Sequence, residues 1–176
     1  MANFTITVSN SSSTQSPAGV INQGDQLTFA VDPKGGPATI FFKNAKSSPF
    51  ASTTVAVPSS APVTSPRSGS FDFDSAEKGG TKLGTVVIEL SITVSGGLTS
   101  SPSPLATVNG QKVKWLQGTG GPTAVQFPSS SAFGSKDIKM GQSYTASSVG
   151  KAVYSWSDGG AALGVGSGTV DVGTGP

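Results

Sequence analysis

The sequence contains no cysteine and no histidine among its 176 residues, and this double absence excludes several kinds of chemistry. Without cysteine the chain has no disulfide and no thiolate nucleophile. Without histidine it has no imidazole base for a catalytic triad and no imidazole ligand for zinc or copper. Serine is abundant, but no single lysine stands apart as its base. We therefore expect no enzyme activity, no cofactor and no metal site.

Charge and long apolar runs are also scarce. Charged residues make up 11% of the chain and the formal net charge is only +2, with the basic residues spread along the sequence. This pattern gives little attraction for nucleic acid. No run approaches the roughly 18 to 20 apolar residues of a membrane-spanning helix, so we expect no membrane insertion. Residues 1–8 do not resemble a signal peptide. We expect a cytoplasmic location by default, with an extracellular or cell-surface location as the alternative.

The residues that are plentiful are those of strands and turns. The chain has 24 Gly and 12 Pro together with 29 Ser and 18 Thr, while strong helix formers are few. Apolar residues alternate with polar ones in short segments, which predicts strands with one buried face. Gly/Pro clusters such as 33–37 and 118–122 separate these segments. Strands are predicted near residues 3–9, 26–31, 38–43, 53–57, 70–74, 84–89, 90–95, 105–108, 111–117, 123–127, 143–147, 151–157 and 168–173.

The same sequence pattern occurs twice in the chain. Thr5-Ile6-Thr7-Val8-Ser9 returns 86 residues later as Ser91-Ile92-Thr93-Val94-Ser95. Further pairs follow in the same order: 24–29 with 110–115, 35–42 with 120–127, 47–50 with 130–133, Phe71 and Phe73 with Tyr154 and Trp156, and 84–86 with 168–170. Because the order is preserved, we interpret the chain as a tandem duplication with domains 1–88 and 89–176. The composition makes each an antiparallel β-sandwich or barrel.

Each repeat resembles a cupredoxin, the small β-sandwich of the blue copper proteins. The family patterns "x-x-G-D-x-V-x-W/F", "P-H-N-V-x-F" and "G-x-Y-x-F-x-C" followed by "G-x-G-x-V-x-V" are carried by residues 22–29 and 109–115, 37–42 and 122–127, and 150–158 with 166–172. The resemblance implies an all-β fold of two tandem cupredoxin-like Greek-key β-sandwich domains. Immunoglobulin-like sandwiches with similar strand spacing are the alternative.

The resemblance also implies where a copper site would lie, and its ligands are missing. The family's first His falls on Ala38 in one repeat and on Thr123 in the other. Its Cys falls near residues 74–75 and 157–158, and its second His has no counterpart. A site that needs a thiolate and two imidazoles is therefore not expected, and the fold alone does not assign a function.

Three residues are candidates for ligand binding: Tyr144, Asp158 and Thr123. Tyr144 is an aromatic ring on which a sugar could stack. Asp158 begins the turn signal Asp158-Gly159-Gly160, and Thr123 holds the position of the family's first ligand, so both are expected at the former metal end.

Two tryptophans and an acidic group are given the simpler structural interpretation. Trp115 and Trp156 are expected in the core, since the repeat equates them with Phe29 and Phe73. Carboxylates of the kind that bind Ca²⁺ or act as an acid/base pair occur at Asp72, Asp74 and Glu77. No Asp-rich loop with a turn glycine accompanies them, so a solvated strand face is favoured.

These observations predict a metal-free, non-enzymatic binding or structural protein that mediates protein interaction or assembly. Open sheet edges suggest self-association, for example as a homodimer. A carbohydrate-binding, lectin-like module that takes a saccharide is the alternative. The Ser/Thr/Gly-rich loops resemble those of bacterial surface proteins.

Overall fold

The computed structural model describes residues 1–43, 48–50, 52–128, 132–157 and 165–174. All regular elements in these ranges are β-strands, which confirms the expected all-β sandwich fold. Among the described residues there is accordingly no helix long and apolar enough to cross a membrane. The chain divides into two compact units, Met1–Glu89 and Leu90–Pro176.

The described residues of the first unit form nine strands in two sheets. One sheet has the order β2-β1-β4-β7 and the other has the order β3-β9-β8-β5-β6. β1 runs parallel to β4 and β3 runs parallel to β9, while the other neighbours are antiparallel. The strands are β1 (Asn3–Val8), β2 (Ser13–Ser16), β3 (Ile21–Asn22), β4 (Gln26–Val31), β5 (Thr39–Phe42), β6 (Thr54–Ala56), β7 (Ser59–Pro62), β8 (Gly69–Asp74) and β9 (Lys82–Glu89).

The second unit has the same strand order as the first. Its sheets are β11-β10-β13-β16 and β12-β18-β17-β14-β15, so each strand number is nine higher than its counterpart. The parallel pairs are again the corresponding ones, β10 with β13 and β12 with β18. The strands are β10 (Ser91–Ser95), β11 (Thr99–Ser101), β12 (Leu105–Val108), β13 (Lys112–Gln117), β14 (Ala124–Gln126), β15 (Asp137–Lys139), β16 (Ser143–Thr145), β17 (Gly150–Ser157) and β18 (Val165–Gly173).

Each unit has its own apolar core between its two sheets. The alternation seen in the sequence explains how the strands fill it: in β1, Phe4, Ile6 and Val8 are buried, while Thr5 and Thr7 face outward. Each fully buried Val, Leu, Ile or Phe side chain contributes about 1.5–3 kcal/mol. The core, and not the sparse surface charge, is therefore the main source of stability.

Equivalent aromatic contacts lie at the centre of both cores. Phe29 and Phe73 meet edge to face with ring centroids 5.6 Å apart and an angle of 82°. Trp115 and Tyr154 repeat this contact at 4.9 Å and 85°. Such edge-to-face pairs are stabilising beyond the area they bury.

The strand register corrects one equivalence drawn from the sequence. Phe73 pairs with Gly84, and Tyr154 pairs with Gly168. Tyr154 therefore occupies the place of Phe73, and the predicted match of Phe73 with Trp156 is wrong by two residues. The error arose because aromatic residues alternate along this strand, so that sequence matching alone accepts a two-residue shift. Trp156 is an additional ring that stacks on Tyr154 with centroids 5.8 Å apart.

A glycine in each unit packs directly against the end of the first strand. A Cβ atom on Gly36 would overlap the carbonyl oxygen of Val8, and one on Gly121 would overlap that of Val94. Both glycines belong to the Gly-Gly-Pro segments that the sequence repeats. The backbone contact, rather than turn flexibility alone, explains why glycine is needed at these two positions.

We expect Gly121→Ala to destabilise the second unit by about 1–3 kcal/mol, because its methyl group would force the loop away from Val94. Gly173→Ala is the matched control, since a Cβ there meets only ordinary van der Waals contacts. Its effect should stay within about 0.5 kcal/mol. Denaturant unfolding of both variants measures the difference, and equal stabilities would contradict the packing explanation.

Candidate functional site

The loops that follow β1 and β4 lie at one end of the first unit, which is the end where the sequence resemblance led us to expect a former metal site. Because β1 and β4 are parallel, Val8 and Val31 lie at the same end, and the following loop packs against the Val8 carbonyl through Gly36. Ser13 Oγ donates a hydrogen bond of 3.0 Å to the Leu83 carbonyl near the start of β9. The β1–β2 turn therefore lies beside the segment that connects β8 and β9.

Thr123 lies at the corresponding end of the second unit. It is exposed, precedes β14, and its carbonyl oxygen accepts a hydrogen bond of 2.9 Å from the Met140 amide. The pairing of Gln126 with Ser155 brings the start of β14 alongside the end of β17. Asp158 follows β17 but lies outside the described residues.

Tyr144 connects the two sheets of the second unit. It lies on the edge strand β16, and its half-buried ring packs against the core. Its phenol oxygen accepts a hydrogen bond of 3.0 Å from the amide of Lys139, on β15 of the opposite sheet. The Lys139 amide donates to Tyr144 and the amide of the next residue, Met140, donates to Thr123. The structure therefore places Tyr144 and Thr123 close to each other. Ligand binding by these residues stays a prediction.

The two tryptophans are core residues. Trp115 is 0% exposed and Trp156 is 3% exposed. A sugar ring stacks on an aromatic face that solvent can reach, and neither indole offers one. The structural interpretation of both residues therefore holds, although Trp156 occupies a different position from the one assigned by the repeat.

The core of the second unit is more polar than that of the first. Where the first unit has Ile21 and Phe29, the second has Thr107 and Trp115, since Ile21 pairs with Ile88 and Thr107 with Val172. Thr107 Oγ1 and the Nε1 atoms of Trp115 and Trp156 are buried without a hydrogen-bond partner among the described residues. Buried polar groups of this kind reduce the net stability gained from packing.

Tyr154 adds a phenol group to the same core. Burial raises the pKa of the Tyr154 phenol above its usual value of 10.0, and the neighbouring Ser100 hydroxyl offsets part of that rise. The two hydroxyl groups are close, but their geometry falls short of a regular hydrogen bond. The equivalent residue of the first unit, Phe73, carries no such group.

Asp25 is a buried carboxylate whose structural role the sequence analysis missed. It is 7% exposed, and its two oxygens accept hydrogen bonds from the amides of Ala2 (2.7 Å) and Asn22 (2.9 Å). It thereby fixes the start of β1 against the turn before β4. The signal in the sequence was a carboxylate directly after a turn glycine, Gly24, with the strand β4 following.

Asp72 of β8 forms an ion pair on the outer sheet face. Asp72 Oδ1 lies 2.9 Å from Lys82 Nζ and accepts a hydrogen bond of 2.6 Å from Thr85 Oγ1. The hydrogen bonds from Thr85 and then Lys82 lower the pKa of the Asp72 carboxyl below its usual value of 3.8. Among the described residues, no three His, Cys, Asp or Glu side chains are grouped as metal ligands.

The sequence matches no family model and no curated protein. Among solved structures it is similar to a copper-containing nitrite reductase from Thermus scotoductus SA-01, with 11% identity and a TM-score of 0.32, over 97% of this chain and 61% of that one. It is also similar to a multi-copper oxidase from Pseudomonas thermotolerans, with 10% identity and a TM-score of 0.28, over 98% of this chain and 63% of that one. A copper nitrite reductase from Nitrosomonas europaea matches with 11% identity and a TM-score of 0.29, over 98% and 94%.

The chain thus spans less than two thirds of the length of the Thermus and Pseudomonas proteins. With identities and TM-scores this low, the matches carry no activity, substrate or metal over to this chain. Its assignment as an all-β sandwich rests on its own strands and their order.

We expect the fluorescence of both tryptophans to be blue-shifted and resistant to iodide quenching, since burial in an apolar core has both effects. Steady-state emission with an iodide titration measures this, and Trp115→Phe separates the contribution of Trp156. Strong quenching of the native protein would contradict the burial of the indoles.

We expect Tyr154→Phe to be neutral or to stabilise the protein by up to about 1 kcal/mol at neutral pH, because it removes a buried hydroxyl without a regular partner. Because the pKa of the Tyr154 phenol is raised in the folded protein, the protonated phenol contributes to the free energy of unfolding. This contribution is fully present below about pH 10, the pKa of an unfolded tyrosine, and is lost as the pH rises through the pKa in the folded protein. The variant should therefore lose less stability than the native protein above about pH 10.

Unfolding by denaturant from neutral to alkaline pH measures both effects in Tyr154→Phe. Tyr144→Phe is the control, because the Tyr144 phenol accepts an exposed backbone hydrogen bond. Identical alkaline profiles for native protein and Tyr154→Phe would contradict the expectation.

Proposed function

We propose that this chain is a metal-free, non-enzymatic binding or structural protein that mediates protein interaction or assembly, built from a duplicated cupredoxin-like sandwich. One observation carries the proposal: at the end where the resemblance places copper, the described loops of the first unit are held by local hydrogen bonds, and the sequence offers no imidazole or thiol there. Ala38 and Thr123 stand where the first His would be, and the sequence contains no His or Cys at all. A blue-copper site requires those ligands.

The loops at this end of the first unit are held in fixed conformations by local hydrogen bonds. In the β1–β2 turn, Ser9 Oγ accepts a hydrogen bond of 3.0 Å from the Ser12 amide. In the next loop, Asp32 accepts hydrogen bonds from the amides of Lys34 and Gly35, both 2.8 Å. Loops that are ordered before binding lose less conformational entropy when a partner docks, which favours recognition.

The sheet edges of the first unit are less suited to self-association by strand addition than its loop end is to docking. The edge strands β3 and β6 have only two and three residues, and β7 has four residues and ends in Pro62. Short strands and edge prolines limit pairing with another chain. We therefore place the proposed contact at the loop end, with a second copy of this chain as the first partner to test.

Sedimentation equilibrium over a wide concentration range tests this proposal. We expect a reversible dimer or larger assembly, and we expect Lys34→Glu to weaken it about tenfold, equivalent to about 1.4 kcal/mol. Lys151→Glu, on the outer face of β17, is the charge-matched control and should leave the assembly unchanged. A chain that stays monomeric throughout, or saturable Cu²⁺ binding in calorimetry, would contradict the proposal.

A further inference from the structure

The outer face of the β2-β1-β4-β7 sheet carries an ordered set of hydroxyl groups. Strand register assigns its members, because residues paired across neighbouring strands point to the same side. We call this surface the hydroxyl face, and its residues are Asn3, Thr5, Thr7, Thr14, Ser16, Gln26, Thr28, Ala30, Ser60 and Pro62. Six of these ten residues are Ser or Thr, and every one of them lies in the described part of the chain.

The hydroxyl face carries no charge at any of its ten strand positions, whereas the outer faces of the other three sheets do. The second sheet of the first unit carries the pair Asp72 and Lys82. In the second unit, the equivalent sheet has Lys112 on β13, and the remaining sheet has Lys151 paired with Asp171. Neutrality is therefore specific to this one face and does not follow from the low overall charge.

The hydroxyl groups form a regular row across the sheet. Register places Ser16, Thr5, Thr28 and Ser60 side by side on four successive strands. Neighbouring members of such a row are about 4.8 Å apart, and rows two residues apart along a strand are separated by about 6.7 Å. Thr28 Oγ1 and Ser60 Oγ share a hydrogen bond of 2.8 Å. The row is partly preorganised, because β-branched threonine side chains are stiff and this hydrogen bond fixes one end.

A protein partner fits the hydroxyl face poorly. β1 and β4 have six residues each, and β2 and β7 have four each. Together they cover about 320 Å², which is about 40% of what each partner contributes to a standard protein interface. The face also lacks the Trp, Tyr and Arg residues that supply most binding energy in such interfaces. A second copy of the chain docked face to face would bury the same small area without such residues.

We propose that the hydroxyl face binds an insoluble neutral polysaccharide through its row of Ser and Thr hydroxyls. Charge complementarity favours a neutral partner, since any charged group would be desolvated there without a counter-charge. Each hydroxyl both donates and accepts hydrogen bonds, as sugar hydroxyls do. Individual contacts are weak, so binding depends on several hydroxyls meeting a repeating surface at once. This inference goes beyond the proposed function and uses a different surface from its loop end.

The experiment measures retention of the 176-residue chain on microcrystalline cellulose and on chitin powder. Thr7→Glu introduces a charge into the hydroxyl face, and we expect it to lower the bound fraction about fivefold or more. Thr93→Glu is the matched control, because Thr93 is the repeat counterpart of Thr7 and faces outward on β10. It should change retention by less than about twofold.

A second variant adds no charge, so it shows whether loss of retention in Thr7→Glu comes from the hydroxyl face or from an effect of the added charge on folding. Thr5→Val with Thr28→Val removes two hydroxyls from the row but keeps side-chain shape and strand preference, and it too should reduce retention. Circular dichroism verifies the fold of each variant.

Failure of the native chain to bind either solid would overturn the proposal. So would retention that is unaffected by both hydroxyl-face changes, or equally affected by Thr93→Glu. Because Lys34→Glu does not touch this face, its effect on assembly separates failure of this proposal from failure of the proposed function.

Discussion

The edge-to-face contact between one aromatic residue from each sheet holds the centre of each unit together. In the first unit Phe29 on β4 meets Phe73 on β8, and in the second Trp115 on β13 meets Tyr154 on β17. The contact fixes the separation of the sheets at their middle, so the inward residues of the other strands pack around it. It also sets the register between β8 and β9 and between β17 and β18. The ring on β8 or β17 lies over a glycine of the neighbouring strand, Gly84 or Gly168. A glycine there provides the space that the ring fills.

The same architecture tolerates different chemistry in its two copies. The first core uses only apolar side chains at the positions where the second has Thr107, Trp115 and Tyr154. The second unit gains larger rings with extended contacts, including the stack of Trp156 on Tyr154, but it also buries polar atoms that lack regular partners. Packing gain and desolvation cost therefore act in opposite directions within one unit. The outer surfaces differ as well, since one face is neutral and its counterpart carries lysine.

Several strands and one core equivalence show where prediction from the sequence succeeded and where it failed. β1 and β4 were predicted because apolar and polar residues alternate along them, as a sheet with one buried face requires. The strand Ser59–Pro62 was not predicted, since it has serines and a proline and almost no apolar signal. Such a segment becomes a strand only because β4 offers it an edge to pair with. Tyr144 was predicted as a candidate for ligand binding, and only the fold shows its hydrogen bond from the Lys139 amide.

The sequence by itself determined the strand-rich fold and the absence of His and Cys side chains, since periodicity and residue types need no tertiary information. The order of the strands, the correspondence of Tyr154 with Phe73 and the burial of Asp25 were decided by the tertiary structure. These features depend on which distant segments lie side by side, and a single sequence does not record that. The hydroxyl face has the same origin, because its four strands come from separate parts of the chain and only their register aligns the side chains.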